Sequence, residues 1–576
     1  MKKPLLIFIC IIIAVMLAAC DINISLNPSG TGSPESSSAT PATTPAGNTT
    51  ASPDTSTGTD DTTASPGTSK APETTKTPET TKEPETTAAP LDEVTECGIT
   101  VRGPSVTVMS IGVFSLQKGG EYYITGTATE GMEVAINVYA PAADEVVLHI
   151  NDLKIPNTGL CAFQMISAAA VTLDFSGDSL IQNKGMTGND DFGTDFDSTY
   201  AAVMSKVPLT ITGNGKLEIG ATRAPAVYVR SLLTVRDADL LNVSSSKESI
   251  KASGVSIKDS SLEIYADSEG IASLSSGTLP AGAAGAPGFV SIDGSEIRME
   301  AVTTGILAEG GITVVDSGIS INMSDLYEDG TGVFAYGTAR FNCEVLIINS
   351  PRYGVYAASK DGVPGRIVIE SGEYPLTCGQ SCLCADSSIE VSGGKLMFYE
   401  SRFAFAAETL ALSGSEYEIS AIYDVARVES SFTMKDCKMK ATVTGDVTPT
   451  KKNSFTMENS VVLLETKNPV AAFGLPSACK YISGTFIFLG EYYDTPDGTT
   501  DMPVAYFKNL VLPGKVDYTL GSTKGTATFS PWSDHTAGWI CSDILAVGEP
   551  CYITPFHGTD YRWLQDSVSK DISPKG

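Results

Sequence analysis

The sequence predicts an all-β chain wound as a right-handed parallel β-helix, and three observations predict it. Segments of alternating β-formers restart near Val255, Val290, Ile312, Val345, Ile367, Ile389, Leu410, Phe432 and Phe455, and six of these eight intervals are 21–23 residues. A short strand recurs between them, as Glu269-Gly-Ile-Ala-Ser273, Thr304-Gly-Ile-Leu-Ala308, Thr331-Gly-Val-Phe-Ala335 and Tyr353-Gly-Val-Tyr-Ala357. Each period of about 22 residues therefore holds three short strands and their turns, with no room for a helix plus a returning strand. A leucine-rich repeat needs a Leu/Asn framework that is absent here, and a propeller blade needs ~40 residues or more. The two long intervals are read as insertions, at Ser275–Gly288 and at Tyr327–Gly337. A dozen coils at ~4.8 Å each would make a rod of about 60 Å.

Taken in order, the chain divides into four parts. Residues 1–19 read as a lipoprotein signal peptide: Lys2 and Lys3 precede an apolar run from Leu5 to Ala19, too short for a membrane span. Leu17-Ala-Ala-Cys20 resembles a bacterial lipobox, which implies lipidation of Cys20 and a lipid-anchored chain on the extracellular face of the cell membrane. Residues 20–97 read as the lipidated N-terminus and a disordered linker. From 28 to 90 it is dominated by Thr, Pro, Ser, Ala and Gly with no aromatic residue, so it cannot bury enough apolar area to offset its ordering entropy. Residues 98–490 carry the β-helix. Residues 491–576 lose the repeat, hold all three Trp, and read as a C-terminal cap or small β module.

Charge narrows the partners. The chain has 38 Lys+Arg against 67 Asp+Glu, a formal charge of −29. The first 90 residues hold five Lys and nine acidic residues, so −25 belongs to residues 91–576. Such a chain does not bind nucleic acid through its own field, because phosphate binding rests on Lys and Arg. Only the lipid anchor is expected to touch a membrane. Three His leave little support for His-dependent chemistry. Ten Cys remain beyond Cys10 and Cys20, with Cys378, Cys382 and Cys384 clustered and Cys541 and Cys551 close enough in sequence to pair.

Several segments carry a family resemblance. Gly120-Glu-Tyr-Tyr-Ile-Thr-Gly-Thr127, Leu148-His-Ile-Asn-Asp-Leu-Lys-Ile155, the acidic loop Asp190–Asp197 and Ala201-Ala-Val-Met-Ser-Lys-Val-Pro-Leu-Thr-Ile-Thr-Gly-Asn-Gly-Lys-Leu217 together resemble bacterial secreted carbohydrate-binding domain proteins. That family consists of parallel β-helices similar to pectate lyases. The resemblance implies a polysaccharide partner of plant cell-wall or bacterial origin, calcium as cofactor, and a cell-surface location. The family's Asp-Gly-Ile units with a following basic residue read here as Glu248-Ser-Ile-Lys251 and Glu269-Gly-Ile271, with Ala226-Val-Tyr228 in the first coil.

Three constellations are candidates for chemistry. Asp190, Asp191, Asp195 and Asp197 place four carboxylates in eight residues. Such carboxylates repel unless solvent or a hard cation such as Ca²⁺ screens them. Glu248 and Glu269 fall at corresponding turns of adjacent coils, where they bind metal or form salt bridges with Lys251 or Arg230. Aligning the third strands on their glycine puts Tyr228, Phe334, Tyr356 and Phe405 at one outward position, an aromatic ladder on which a glycan can stack. Lys206, Arg230 and Lys251 are the basic residues nearest the acidic loop and the candidate bases of a lyase reaction. The leading reading is a monomeric, non-catalytic, calcium-supported polysaccharide binder. A pectate-type polysaccharide lyase is the alternative, and an adhesin or structural surface rod the third.

Overall fold

The computed structural model describes residues 91–157, 159–185, 201–283, 285–325, 327–444, 454–466 and 478–490, then separate strands and short pieces between 498 and 569. Among these residues there is no helix; the chain forms a parallel β-solenoid of about 14 turns between residues 113 and 487, with ~24 residues between turns. The signal segment, the linker and the Asp190–Asp197 loop lie outside the described residues.

Each coil contributes to three stacked parallel sheets. In sheet 1, Leu209, Leu233, Val255, Val290, Ile312, Ala339 and Ile367 follow one another in register. In sheet 2 the corresponding column is Leu217, Leu241, Leu262, Ile297, Ile319 and Leu346. In sheet 3 it is Val227, Ile250, Ile271, Ile306, Val333, Val355, Leu383 and Phe405. All of these side chains are buried in one continuous core. Burying a side chain of this size contributes ~1.5–3 kcal/mol, but only when a neighbouring coil covers it, so the coils stabilise one another.

The corner between sheets 1 and 2 repeats a local motif. Asp259, Gly294, Asp316, Gly414, Asp436 and Asn459 occupy it with positive φ, a conformation that Gly, Asp and Asn adopt at least cost. A buried serine follows most of them: Ser260, Ser295, Ser317, Ser415 and Ser460. The Ser295 Oγ–H donates to the Asp293 carbonyl at 2.8 Å, and Oγ accepts the Ser260 N–H at 3.2 Å from the adjacent coil. Ser317 does the same for Ser295, and Ser460 for Cys437. The ladder satisfies buried N–H groups that the tight corner removes from the sheets.

One phase assignment is corrected. Val345 does not open a coil; Ala339 lies between Ile312 and Ile367 in sheet 1, whereas Val345 pairs with Gly318 and Glu373 in sheet 2. The extra residues therefore sit at 324–330 and at 359–365. The strand Thr338–Ser350 runs through the corner, and its alternation is strong on both sides of it, which disguised the phase.

The stack ends in antiparallel pairing. Asp92–Glu96 pairs with Ile99–Gly103, which pairs with Gly120–Thr127, and Val106–Ser110 pairs with Val113–Leu116. At the other end Gly484–Gly490 pairs antiparallel with Ala537–Ser542. Lys515–Leu520, Thr523–Thr528, Cys551–Pro555 and Trp563–Leu564 form a separate four-stranded sheet. Cys541 and Cys551 thus belong to different sheets. Antiparallel ends change the edge that an open parallel stack would offer to another chain.

Candidate functional site

The outward face of sheet 3 carries the residues singled out from the sequence. Its central position reads, coil by coil, Met204, Tyr228, Lys251, Ala272, Leu307, Phe334, Tyr356, Cys384, Ala406 and Arg427. On either side of this column the residues are core, so the column points outward by the strand's two-residue alternation. Tyr228, Phe334 and Tyr356 stand on it, half-buried. Phe405 does not. It pairs with Leu383, is fully buried, and packs on Phe398 and Tyr417 at centroid distances of 5.2 and 6.0 Å. Phe403-Ala-Phe-Ala-Ala407 lacks the glycine that marks the frame, and Ala at both parities leaves it ambiguous.

The aromatic residues form a patch and not a flat ladder. Phe334 meets Tyr356 edge-on, at 5.2 Å and 81°, and meets Tyr336 at 5.0 Å and 82°. Tyr353 lies 5.0 Å from Tyr356 at a 36° tilt. Edge-to-face contact is a favoured arrangement for rings, and it is what packs side chains from adjacent coils here. Tyr356 donates to Asp386 Oδ1 at 2.9 Å. Burial first, and then the Asp386 carboxylate, push this phenol well above its usual range. Arg352 lies over the Tyr353 ring at 4.8 Å and pairs with Asp329 at 2.7 Å. Tyr336, Tyr353 and Arg352 were not singled out from the sequence. Tyr353 opens one of the repeated glycine strands, where the other copies carry Glu269, Thr304 and Thr331, and that departure was its one signal.

Two grooves lie along this face. Toward the N-terminal coils, Lys206, Tyr228, Arg230 and Lys251 line a groove of about 610 Å³ walled by Leu274 and Ser276–Thr278. Ala272 is buried, which interrupts the column. Arg230 Nε donates to the Tyr228 hydroxyl at 3.3 Å, and Lys251 Nζ lies 5.9 Å from its ring. Toward the C-terminal coils, Tyr353, Gln380, Asp386, Phe403, Glu408 and Arg427 are among the residues lining a groove of about 340 Å³. Behind Phe403, on the register-paired residue, the Asp424 carboxyl is buried and its Oδ1 has no hydrogen-bond partner. Burial raises its pKa to about 7, against the opposing pull of Arg427.

The described carboxylates do not assemble a metal cage. Glu248 and Glu269 are at equivalent positions of adjacent coils, but Glu248 pairs with Lys251 at 2.9 Å and Glu269 accepts from the Ser268 hydroxyl. Among the described residues no group of three or more His, Cys, Asp or Glu could hold a metal ion. The pair Glu248 and Glu269 therefore does not fit calcium by itself. Asp190, Asp191, Asp195 and Asp197 lie outside the described residues.

Comparison with known proteins adds the following. A family described as carbohydrate-binding domain-containing protein matches residues 111–403. No curated protein matches the chain. A solved structure of a polysaccharide lyase-like protein from C. thermocellum, a gadolinium derivative, is similar at 17% identity with a TM-score of 0.32. The match covers 48% of this chain and 98% of that one.

Proposed function

The chain belongs to the carbohydrate-binding domain-containing family, and on that premise we propose that it is a non-catalytic, lipid-anchored surface protein that binds polysaccharide along sheet 3. The observation that carries this reading is the outward column itself. Tyr228, Phe334 and Tyr356 sit on coils of one sheet, with a groove at each end. Successive coils rise ~4.8 Å, a step comparable to a sugar residue, so a glycan lying along the sheet from Leu307 to Cys384 meets a new side chain of the column at each unit. Aromatic edges and faces, with Asp386, Arg352 and Gln380 beside them, supply the apolar and hydrogen-bonding contacts that a pyranose uses. Cys20 supplies the anchor and residues 28–90 the spacer from the membrane. Calcium belongs to the same proposal, held by Asp190, Asp191, Asp195 and Asp197, whose four carboxylates supply the hard oxygen donors it prefers.

A second reading has one observation in its favour. Lys206, Arg230 and Lys251 share a groove with Tyr228, a cationic set such as a lyase uses to neutralise a uronate and remove its proton.

Retention of the soluble chain on insoluble neutral and acidic polysaccharides, with and without EDTA, tests both readings in one tube. Binding without ultraviolet-absorbing unsaturated product is expected, reduced at least fivefold by Phe334→Ala or Tyr356→Ala. Unsaturated product that disappears with Lys206→Gln would replace the binder by the lyase. Absence of both retention and unsaturated product on every polymer would overturn both. Calorimetric titration with Ca²⁺ is expected to show binding that is lost when Asp195 and Asp197 become Asn.

A further inference from the structure

The solenoid breaks its own economy at one place. The connections from sheet 3 to sheet 1 at four successive coils are 274–289, 309–311, 337 and 359–365. Two tight corners are thus flanked by two long ones. The long connections leave positions three coil spacings apart, about 14 Å, and the tight corners between them form the floor of a slot. Its volume is about 730 Å³, within the ~300–1,000 Å³ typical of small-molecule sites.

Both walls are built rather than loose. On one side Lys360-Asp-Gly-Val363 is a two-residue hairpin turn, bridged by Lys360 N–H to Val363 O at 3.0 Å and the reverse bond at 2.9 Å. Asp361 and Gly362 have φ of 53° and 82°, the left-handed pair that such a turn requires. Asp386 accepts the Ser359 N–H at 2.8 Å beneath it. On the other side Gly288 N–H donates to Ser253 O, and Glu309 accepts the Ser275 N–H at 3.0 Å. Glu309, on the floor, also pairs with Lys360 at 3.5 Å, so an ion pair ties the floor to the second wall.

The lining is amphipathic and electrically balanced. Val363 is 53% exposed at the rim, with Pro287 and Phe289 opposite it. Glu309, Asp361, Lys360 and Arg340 are the charged lining residues; Glu309 pairs with Lys360 and Arg340 with Glu370. Thr313 stands exposed on the floor, in register between Ser291 and Arg340. Apolar walls with donors and acceptors of no net charge suit a ring that presents C–H faces and a rim of hydroxyls. A balanced site does not favour a carboxylate or sulfate.

We propose that the slot between residues 285–289 and 359–365 is a second carbohydrate-binding site, specific for a short run of uncharged pyranose units and separate from the sheet 3 column. The proposal rests on the carbohydrate-binding reading of the family, but not on the aromatic column. Saturation-transfer difference NMR with the methyl glycosides of glucose, galactose, mannose and xylose tests it on the soluble chain. At least one is expected to receive saturation. Thr313→Trp fills the floor from an exposed strand position and is expected to cut the signal at least fivefold. Tyr265→Ala, on the exposed face of sheet 2, is expected to leave it unchanged. No saturation of any glycoside, or a signal that survives Thr313→Trp, overturns the slot. Polymer retention measured on the same proteins separates the two claims: retention lost with Phe334→Ala but kept with Thr313→Trp, in the absence of glycoside signal, removes the slot and leaves the column standing.

Discussion

Asp424 is the residue whose environment most contradicts its chemistry. Its carboxyl is buried with one oxygen unpartnered, and burial lifts its pKa from 3.8 to about 7. The folded chain therefore prefers the protonated acid, whereas the unfolded chain ionises freely. Stability from this group is fully present below the unfolded pKa near 4 and is lost as pH rises through about 7. Asp424→Asn removes the titration. Its melting temperature relative to wild type is expected to rise between pH 4 and pH 8, by the equivalent of a few kcal/mol at most. Equal differences at both pH values would show that Asp424 is ionised throughout. Nothing in the sequence marks Asp424, because Tyr423-Asp-Val-Ala-Arg427 reads as an ordinary strand with one polar position. The same coils misplace Phe405. An outward ring and an inward ring have the same symbol, and only a framing glycine tells them apart. Tyr228, Phe334 and Tyr356 were legible because their neighbours are β-branched residues or alanines at fixed parity.

The element that governs the solenoid is its corner and not its strands. Strands of this composition pair in several registers, since Val, Ile and Leu alternate throughout. A left-handed residue followed by a buried serine marks this corner in five coils and fixes where the chain turns there. Removing one hydroxyl leaves a buried N–H without a partner, which costs about 1–3 kcal/mol. Ser295→Ala, which strands the Ser260 N–H, is expected to lower stability by that amount in a denaturant titration, whereas Ser261→Ala, one residue past Ser260, is expected to change it little. Asp316 has φ of 43°, so Asp316→Gly is expected to be tolerated and Asp316→Val to cost about 1–2 kcal/mol. A Ser295→Ala protein as stable as wild type would show the ladder to be incidental. The period was legible because these corners recur. Val345 was misread because Thr338–Ser350 passes its corner without a break in alternation. The slot was not legible at all: two insertions far apart in sequence become its walls only once two coils are stacked between them.

At the scale of the molecule the dominant quantity is charge. Residues 91–576 carry −25, and the described ion pairs are mostly exposed side chains on the sheet faces, each worth little in water. The field they leave is negative; Lys206, Arg230 and Lys251 gather in one groove, with Lys251 paired to Glu248 at 2.9 Å. A uronate polymer long enough to span several coils must enter that field. Screening shortens its reach from about 30 Å at 0.01 M salt to about 10 Å at 0.1 M, so repulsion fades as salt is added. A neutral polymer feels none of this. Retention of polygalacturonate is therefore expected to increase severalfold between 10 and 150 mM NaCl, and to increase further with millimolar Ca²⁺ if the Asp190–Asp197 carboxylates bridge the two. Retention of a neutral glucan or galactan is expected to stay constant over the same range. Polygalacturonate retention that falls as salt rises would mean that the cationic groove, and not the net charge, sets the encounter. In that case Lys206→Gln is expected to abolish the salt dependence, which ties the choice between acidic and neutral ligands to one side chain.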